Sequence, residues 1–404
     1  MDVALDDVRF SAVDAYDHDE FLHRAEIIGR LGEVDGQISD EQCQLTDRVV
    51  KAIEDSQLVD LLKPRRYGGL GVDLKSYYEL ISTIARHNMA TAWIAYFYSI
   101  HQVWPAYMAP QARDEIIVGG GNVADVLAPV GTVERDAADY LLSGQWNFAS
   151  GVPHSTWIGL GAVAQLPDND TPEYCLFAVK VAELEIVRNW NPLGLRGTGS
   201  HGVKLDRVRV PAHRVLPVER VLHKGTPLGG KYDPSELIYR IPFLPLFAGP
   251  FSAVVLGGAT RIVEEFRTRT AKRTRVYLGG ASAAAGGPMP ATAAQLQLTL
   301  IEMQGLVDIY RMQLEDWLRA GQVTTMPEEK ARLFALRAQI AQKGVDIAVK
   351  AGQALGGTAL YRGDPVELFT RDLLTLGSHA SHLYVDAIST YGSALFGGPA
   401  HPVW

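Results

Sequence analysis

The chain has 404 residues, a formal net charge of −8 at pH 7, and 47% hydrophobic and 21% charged residues. That length allows two or three packed units with a sizeable core. The acidic balance argues against a nucleic-acid partner or an anionic membrane surface. Cys43 and Cys175 lie far apart, which leaves no disulfide framework or cysteine zinc cluster and fits a reducing, cytoplasmic setting. The acidic start MDVALDDVRF is unlike a signal peptide, and no apolar run is expected to reach the about 18 residues of a membrane span.

After a polar lead-in over 1–17, apolar residues recur at helical spacing over 19–30 and again over 40–62. In the second stretch Val49, Val50, Ile53, Leu58, Leu61 and Leu62 follow the helical period. Ser39, with Glu41 and Gln42 after it, reads as a helix start. The run Lys63-Pro64-Arg65-Arg66-Tyr67-Gly68-Gly69-Leu70-Gly71 breaks the pattern. It has no strand before it and no phosphate-loop lysine, so it is a turn. Helices follow over 74–86 and 90–107. The latter is almost wholly apolar, with Trp93, Tyr96, Phe97, Tyr98 and Trp104, and carries His101 in its middle.

Near Gly119 the texture changes to alternating, Val-rich segments. Strands are expected near 122–128, 131–135, 139–148, 155–165, 173–180, 184–188 and 201–210. The stretch YLLSGQWNFASGVPHSTWIGL, from Tyr140 to Leu160, reads as two strands around the turn-like Ser150-Gly151-Val152-Pro153. Trp146, Asn147, Ser150, His154 and Ser155 crowd that junction. A capped hairpin accounts for them, and so does a flat amphipathic ligand that needs an aromatic wall and hydroxyls at its edge. Residues 218–245, rich in Gly and Pro, read as a long loop. Helices at 248–278, 292–321, 327–356 and 364–396 make a bundle. The expected division is 1–119, 120–217 and 218–404. No G-x-G-x-x-G joins a strand to a helix, so no nicotinamide-binding unit is expected.

This order of helices, β-domain and bundle resembles the acyl-CoA dehydrogenase fold, an α+β class with an N-terminal helical domain, a central small β-barrel or sandwich, and a C-terminal four-helix bundle. Local signatures carry the resemblance along the chain. Leu62 to Gly71 resembles the family's P-x-x-Y-G-G-x-G turn. Leu193-Gly194-Leu195-Arg196-Gly197-Thr198-Gly199-Ser200, with Asp206-Arg207-Val208-Arg209-Val210-Pro211 after it, resembles G-x-R-x-[ST]…D-V-x-V-P. Gln353-Ala354-Leu355-Gly356-Gly357 with Arg371-Asp372 resembles Q-x-x-G-G…R-D. Within the fold the chain is more similar to the two-component flavin-dependent monooxygenases. Gly-Leu-Arg-Gly-Thr-Gly-Ser at 194–200 and Trp-Asn-Phe-Ala-Ser-Gly at 146–151, followed by His154, are forms associated with the aromatic hydroxylases. Many dehydrogenases carry a glutamate base eight residues after the Asp of R-D. Here that position is Ala380, preceded by His379, where the hydroxylases keep a histidine.

The resemblance implies an oxygenase that uses reduced FMN or FAD and O2, through a C4a-hydroperoxyflavin, to hydroxylate an aromatic, phenolic or polyketide-like small molecule. A separate NAD(P)H-dependent flavin reductase would supply FMNH2 or FADH2. Catalytic roles fall to His379, His101 and Ser150. His379 would take a phenol proton or position the terminal peroxide oxygen, His101 would approach from the other side, and Ser150 would bond the flavin N5–C4=O edge. Trp146 would flank the isoalloxazine, and Arg275, Gly356, Gly357 and Arg371 would complete cofactor binding. Arg275 and the two glycines would reach across a subunit contact, which implies a homotetramer. An N-hydroxylase of amines or amino sugars, and an acyl-CoA dehydrogenase with a relocated base, are the alternatives. Residue by residue, His101 is otherwise a core histidine, Ser150 a turn serine, and Lys272 to Arg275 a solvated helix end. His379 and His382 have no acidic or cysteine partner, so no metal is expected, and His382 is placed at the rim or surface. Tyr96, Phe97, Trp104, Tyr239 and Phe243 mark either a roomy apolar pocket or core.

Overall fold

The structure, a computed structural model, describes residues 8–275 and 279–399, with only the backbone described at 221–223, 275 and 281. The first seven residues of the expected lead-in and the end of the expected 248–278 helix lie outside the described residues. Helix α1 (His18–Val34) starts where the Asp17 carboxylate accepts the Glu20 N–H at 2.9 Å. The single helix expected over 40–62 is three pieces: α2 (Gly36–Gln42), α3 (Asp47–Asp55) and a 3₁₀ turn at Leu58–Asp60. Cys43 turns the chain at φ 55°, and Thr46 then caps α3 at the Val49 N–H. The Thr46 hydroxyl donates to Asp35 Oδ2 at 2.6 Å, so α2 and α3 are joined at a corner.

Helix α4 (Leu74–His87) leads into α5 (Met89–Ile100), capped by Asn88 at the Thr91 N–H, 2.8 Å away. The expected 90–107 helix stops early, and a separate 3₁₀ turn, Trp104–Tyr107, begins next to Pro105. His101 therefore caps the end of α5 instead of lying in mid-helix. A short α6 (Pro110–Arg113) precedes the sheet.

Seven strands form one sheet: β1 (Val123–Asp136), β2 (Asp139–Ala149), β3 (Trp157–Ala164), β4 (Glu173–Lys180), β5 (Glu185–Val187), β6 (His201–Val210) and β7 (Val215–Pro217). Their order is β5-β6-β2-β1-β3-β4-β7. β1 is continuous where two strands were expected. Its first half runs parallel to β3 and its second half antiparallel to β2, with a register shift between Val126 and Gly131. The sheet encloses its own core of Tyr140, Leu142, Trp146, Ile158, Leu160, Phe177 and Val203.

The expected 218–245 loop carries α7 (Val218–Lys224), a turn at Leu237–Tyr239, and the start of α8 (Phe243–Ala248). Its glycines and prolines mark only the middle; Ile238, Tyr239, Phe243 and Leu246 bury and anchor the rest. The bundle is α9 (Phe251–Lys272), α10 (Pro288–Ala320), α11 (Pro327–Leu355), α12 (Pro365–Gly377) and α13 (Tyr384–Ala394). A small hairpin of β8 (Thr274–Arg275) and β9 (Ala281–Ser282) follows α9. The expected last helix is thus two, separated by a 3₁₀ turn at Ala380–His382. Contrary to expectation, the span Phe243–Lys272 is long and apolar enough to cross a membrane, with a window of mean hydropathy 1.5, yet 89% of that window is buried inside the protein. α4 packs on α1 and α9, so the helices of both chain ends share one core.

The 190–199 segment is fastened to α12. Gly194 N–H donates to Thr375 Oγ1 at 2.9 Å, and Leu195 N–H to Asp372 Oδ1 at 2.6 Å. The approach is so close that a Cβ on Gly194 would lie 2.2 Å from the Arg371 carbonyl. Arg371 meets Leu193 O at 2.8 Å, Asp40 at 3.0 Å and Glu367 at 2.6 Å. Asp372→Ala leaves the Leu195 N–H unpaired in a buried place. It is expected to cost about 2 kcal/mol, read as a lower chemical-denaturation midpoint, with a smaller loss for Asp372→Asn, which keeps an acceptor.

Candidate active site

A cavity of about 730 Å³ opens where α5, the ends of β1 and β2, the 190–200 segment, α8, α9 and the end of α12 meet. The volume is that of a small-molecule site, which runs roughly from 300 to 1,000 Å³. One wall is a line of hydroxyls. Trp93 Nε1 donates to Ser150 Oγ at 3.1 Å, Ser150 Oγ lies 2.8 Å from Ser200 Oγ, and Ser200 Oγ lies 2.7 Å from Thr198 Oγ1. Thr198 Oγ1 donates to Leu195 O at 2.8 Å. The turn after Ser150 needs Gly151, which has φ +74° and where a Cβ would lie 2.7 Å from the Tyr98 ring. At the mouth, Phe148 is 71% exposed and sits at φ 69°, a strained backbone for a bulky residue. Its ring meets Trp190 edge-on at 6.1 Å.

His379 lines the same cavity, its ring 5.6 Å from Trp93 and 5.4 Å from Phe251. Its Nδ1 accepts the Ser381 N–H at 3.2 Å and lies 2.8 Å from Ser381 Oγ. Burial, with Arg337 adding to it, pushes its pKa down to about 4. A neutral ring whose Nδ1 accepts carries its proton on Nε2.

Asp125, on β1, also lines the cavity. Its Oδ2 is 3.4 Å from His101 Nε2, yet neither atom has a hydrogen-bond partner among the described residues. His101 Nδ1 donates to Val123 O at 2.8 Å, and its ring stacks on Phe247 at 5.7 Å. Burial pushes Asp125 up to about 8 and His101 down to about 3, so both are neutral at pH 7. Sequence reasoning passed over Asp125. Its only signal is a lone acid in the apolar run Val123-Ala124-Asp125-Val126-Leu127.

Of the residues singled out in the sequence, Ser150 and His379 meet at the cavity. His101 stands behind its wall, packed on Phe97 and Phe247. Trp146 fills the β-domain core, its Nε1 donating to Gly161 O at 2.9 Å, and Phe148 is the β2 aromatic at the cavity. Arg371 is engaged in the fastening described above. Gly356 and Gly357 end α11 facing open space and do not line the cavity, and the Arg275 backbone lies in β8 opposite Ala281. His154 Nε2 lies 3.3 Å from Leu45 O, a long-range contact to the segment before α3, and His154 does not line the cavity. His382 is buried instead of lying at a rim, its Nδ1 bonded to Leu376 O at 3.0 Å. Among the expected pocket aromatics Phe97 lines the cavity, while Tyr96, Trp104, Tyr239 and Phe243 are core. Among the described residues, no group of three His, Cys, Asp or Glu side chains is placed to hold a metal ion.

Residues 250–384 match the family model for the acyl-CoA dehydrogenase C-terminal domain. A structure of XiaF from Streptomyces sp., in complex with FADH2 and glycerol, shares the fold. Its TM-score is 0.87 over 96% of this chain and 98% of that one, at 23% identity. The architecture is that of the acyl-CoA dehydrogenases. In sequence, the chain is 28% identical over 375 residues to the flavin-dependent monooxygenase oxygenase subunit HsaA of Rhodococcus jostii, covering 90% of this chain and 94% of that protein. It is 28% identical over 354 residues to the oxygenase component of the FADH(2)-dependent resorcinol hydroxylase of Rhizobium sp., covering 84% of each. Along most of its length the chain is thus similar to flavin-dependent monooxygenase oxygenase components.

The raised pKa of Asp125 makes a prediction about pH. The folded state holds the proton up to about 8 and the unfolded chain only to about 3.8. Its stabilising share is therefore full below the lower value and lost as pH rises through the upper one. Thermal melts of wild type and Asp125→Asn, followed from pH 5 to 9, are expected to show the wild type losing ground to the variant as pH rises. Parallel curves would contradict a protonated Asp125.

Proposed function

We propose that the protein hydroxylates a neutral aromatic molecule bearing a hydroxyl group, with reduced FAD supplied by a separate NAD(P)H-dependent reductase and O2 as co-substrate. The observation that carries this reading is a single cavity lined by the hydroxyl line, the exposed Phe148, the His379 ring and Asp125, with His101 behind Asp125. The residues fit a flavin: Ser150, Ser200 and Thr198 offer polar contacts to a ring edge, and Phe148 offers a ring to lie against. FADH2 appears in the names of a sequence relative and of the structural neighbour with TM-score 0.87, and FMN in those of two neighbours with TM-score 0.75; the sequence relative is the support for FAD. When bound, the reduced flavin supplies the activation of O2.

The chain's own residues supply the setting. Trp93, Phe97, Phe247 and Phe251 exclude water from the cavity. His379 presents an Nε2–H, so it donates a hydrogen bond to an oxygen atom there; its low pKa and occupied Nδ1 favour that role over taking a phenol proton. The Asp125 Oδ2 faces the bare Nε2 of His101, which can take its carboxyl proton and leaves the other carboxyl oxygen to meet a substrate hydroxyl. A cationic amine would need Asp125 ionised, so the neutral aromatic is favoured over the amine. A dehydrogenase base is missing at Ala380. Asp125 is the one carboxylate lining the cavity among the described residues, and burial pushes its pKa up to about 8, which disfavours the ionised form at neutral pH.

Exposed apolar side chains support a homotetramer. Leu298, Ile301, Ile309 and Met312 on α10, and Val385 and Ile388 on α13, lie open on this chain. Gly356, Gly357 and Arg275 would then approach a neighbour's flavin phosphate. Both cysteines are free, which supports a cytoplasmic location.

The test mixes protein and anaerobic FADH2 or FMNH2 with oxygenated buffer and a panel of phenols, and counts hydroxylated product per flavin oxidised. No product from any phenol, together with bleaching of bound oxidised FAD by an acyl-CoA, would overturn the reading. With a phenol that is converted, His379→Ala is expected to lower product yield at least about tenfold while reduced flavin is still oxidised. His379→Asn, which keeps an N–H donor, retains part of the yield; a base role predicts equal failure of both variants.

A further inference from the structure

The hydroxyl line on the cavity wall has a fixed direction. Trp93 Nε1 can only donate, and Leu195 O can only accept. Thr198 spends its hydroxyl proton on Leu195 O, at 2.8 Å. The 2.7 Å link between Ser200 and Thr198 must then be filled by the Ser200 proton. The 2.8 Å link between Ser150 and Ser200 must be filled by the Ser150 proton. Ser150 takes the Trp93 N–H on one lone pair. Every hydroxyl proton is committed inside the chain, and what Ser150 has left for a ligand is a lone pair. Thr198, Ser200 and Ser150 are 1%, 4% and 6% exposed, so no bulk water is at hand to replace a broken link.

Resting on the flavin reading above, we propose that Trp93, Ser150, Ser200 and Thr198 form a polarity filter that selects flavin by redox state. A reduced flavin carries a hydrogen on N5 and meets the Ser150 acceptor with a donor. An oxidised flavin presents a bare N5 lone pair to the same oxygen. To bond it, Ser150 must turn its proton outward and break the link to Ser200. Ser200 and Thr198 thus act as positioning residues that hold the Ser150 proton away from the ring. The device favours capture of the flavin that the reductase delivers and release of the spent one.

The experiment is equilibrium titration of the full chain with FADH2 under anaerobic conditions and with oxidised FAD, giving the ratio of the oxidised to the reduced dissociation constant. Thr198→Val removes the anchoring link and Ser200→Ala the next one. Either frees the Ser150 proton to face the flavin. Both variants are expected to tighten oxidised FAD and lower the ratio about tenfold, the scale of one unmade buried hydrogen bond. Thr198→Ser keeps the link and the wild-type ratio. A merely structural loss weakens both flavins together and leaves the ratio in place; that result, in Thr198→Val and Ser200→Ala alike, overturns the filter. If wild type binds reduced flavin with no preference, the filter fails and the flavin reading stands. If wild type binds no reduced flavin, both fall.

Discussion

The hydrogen bond from Leu195 N–H to Asp372 Oδ1, 2.6 Å long and buried, holds the cavity in register. It joins two segments far apart in sequence, and each brings something to the site. Leu195 sits at φ 54°, a backbone that only strong partners keep in place. Its carbonyl receives both Thr198 Oγ1 at 2.8 Å and Trp190 Nε1 at 3.1 Å. Asp372 therefore orients the residue that sets the direction of the hydroxyl line and also steadies an aromatic at the mouth. From the other side, Asp372 belongs to α12, whose end delivers His379. Arg371 ties the same corner to Asp40 in α2. The R-D pair and the Gly-Leu-Arg-Gly-Thr-Gly-Ser segment are two halves of one joint, which is the physical reason they occur together.

Burial does the rest of the electrostatic work. His101, His379 and His382 are all pushed down from the usual histidine range by loss of water, and Asp125 is pushed up by the same cause. The two titratable groups that line the cavity, His379 and Asp125, are thereby both shifted toward their neutral forms. Such groups distinguish ligands by which partner brings the proton and by shape, not by charge. A neutral aromatic bearing a hydroxyl matches that wall without a desolvated counter-charge.

The order of helices, sheet and bundle was legible because apolar spacing changes period near Gly119 and again after the 218–245 segment. Ser150 was legible because a serine before glycine marks the turn that exposes it. Trp146 and Phe148 were not. Simple alternation puts 146, 148 and 150 on one strand face, but the pairing of β2 with β6 slips between Trp146 and Ala149, and Phe148 adopts φ 69°. After that bulge Trp146 faces the β-domain core, and Phe148 and Ser150 reach the cavity. The corner at Cys43 was hidden because helical spacing continues across it, and only Asp35, Thr46 and Arg48 in three dimensions explain the break. Asp125 was hidden because its meaning depends on His101, brought to it by folding.

The break after α12 shows how one bundle scaffold can carry different chemistry. On an unbroken helix, neighbouring side chains point about 100° apart, and positions 379 and 380 would not both open on one cavity. Here α12 ends at Gly377 with Ser378 as its cap, and His379 follows at φ −67°, ψ 144°. His379 and Ala380 both line the cavity. Ala380 leaves space and no base where the dehydrogenase resemblance expects a glutamate. The His379 side chain caps the new turn through Nδ1, and that cap decides which nitrogen faces inward with a hydrogen. The atom that stops the helix is thus the one that sets the tautomer. A base would need Nε2 bare, and freeing Nδ1 to carry the proton would unmake the cap that places the ring. The backbone break and the donor role are one structural choice, made in the five residues from Ser378 to His382.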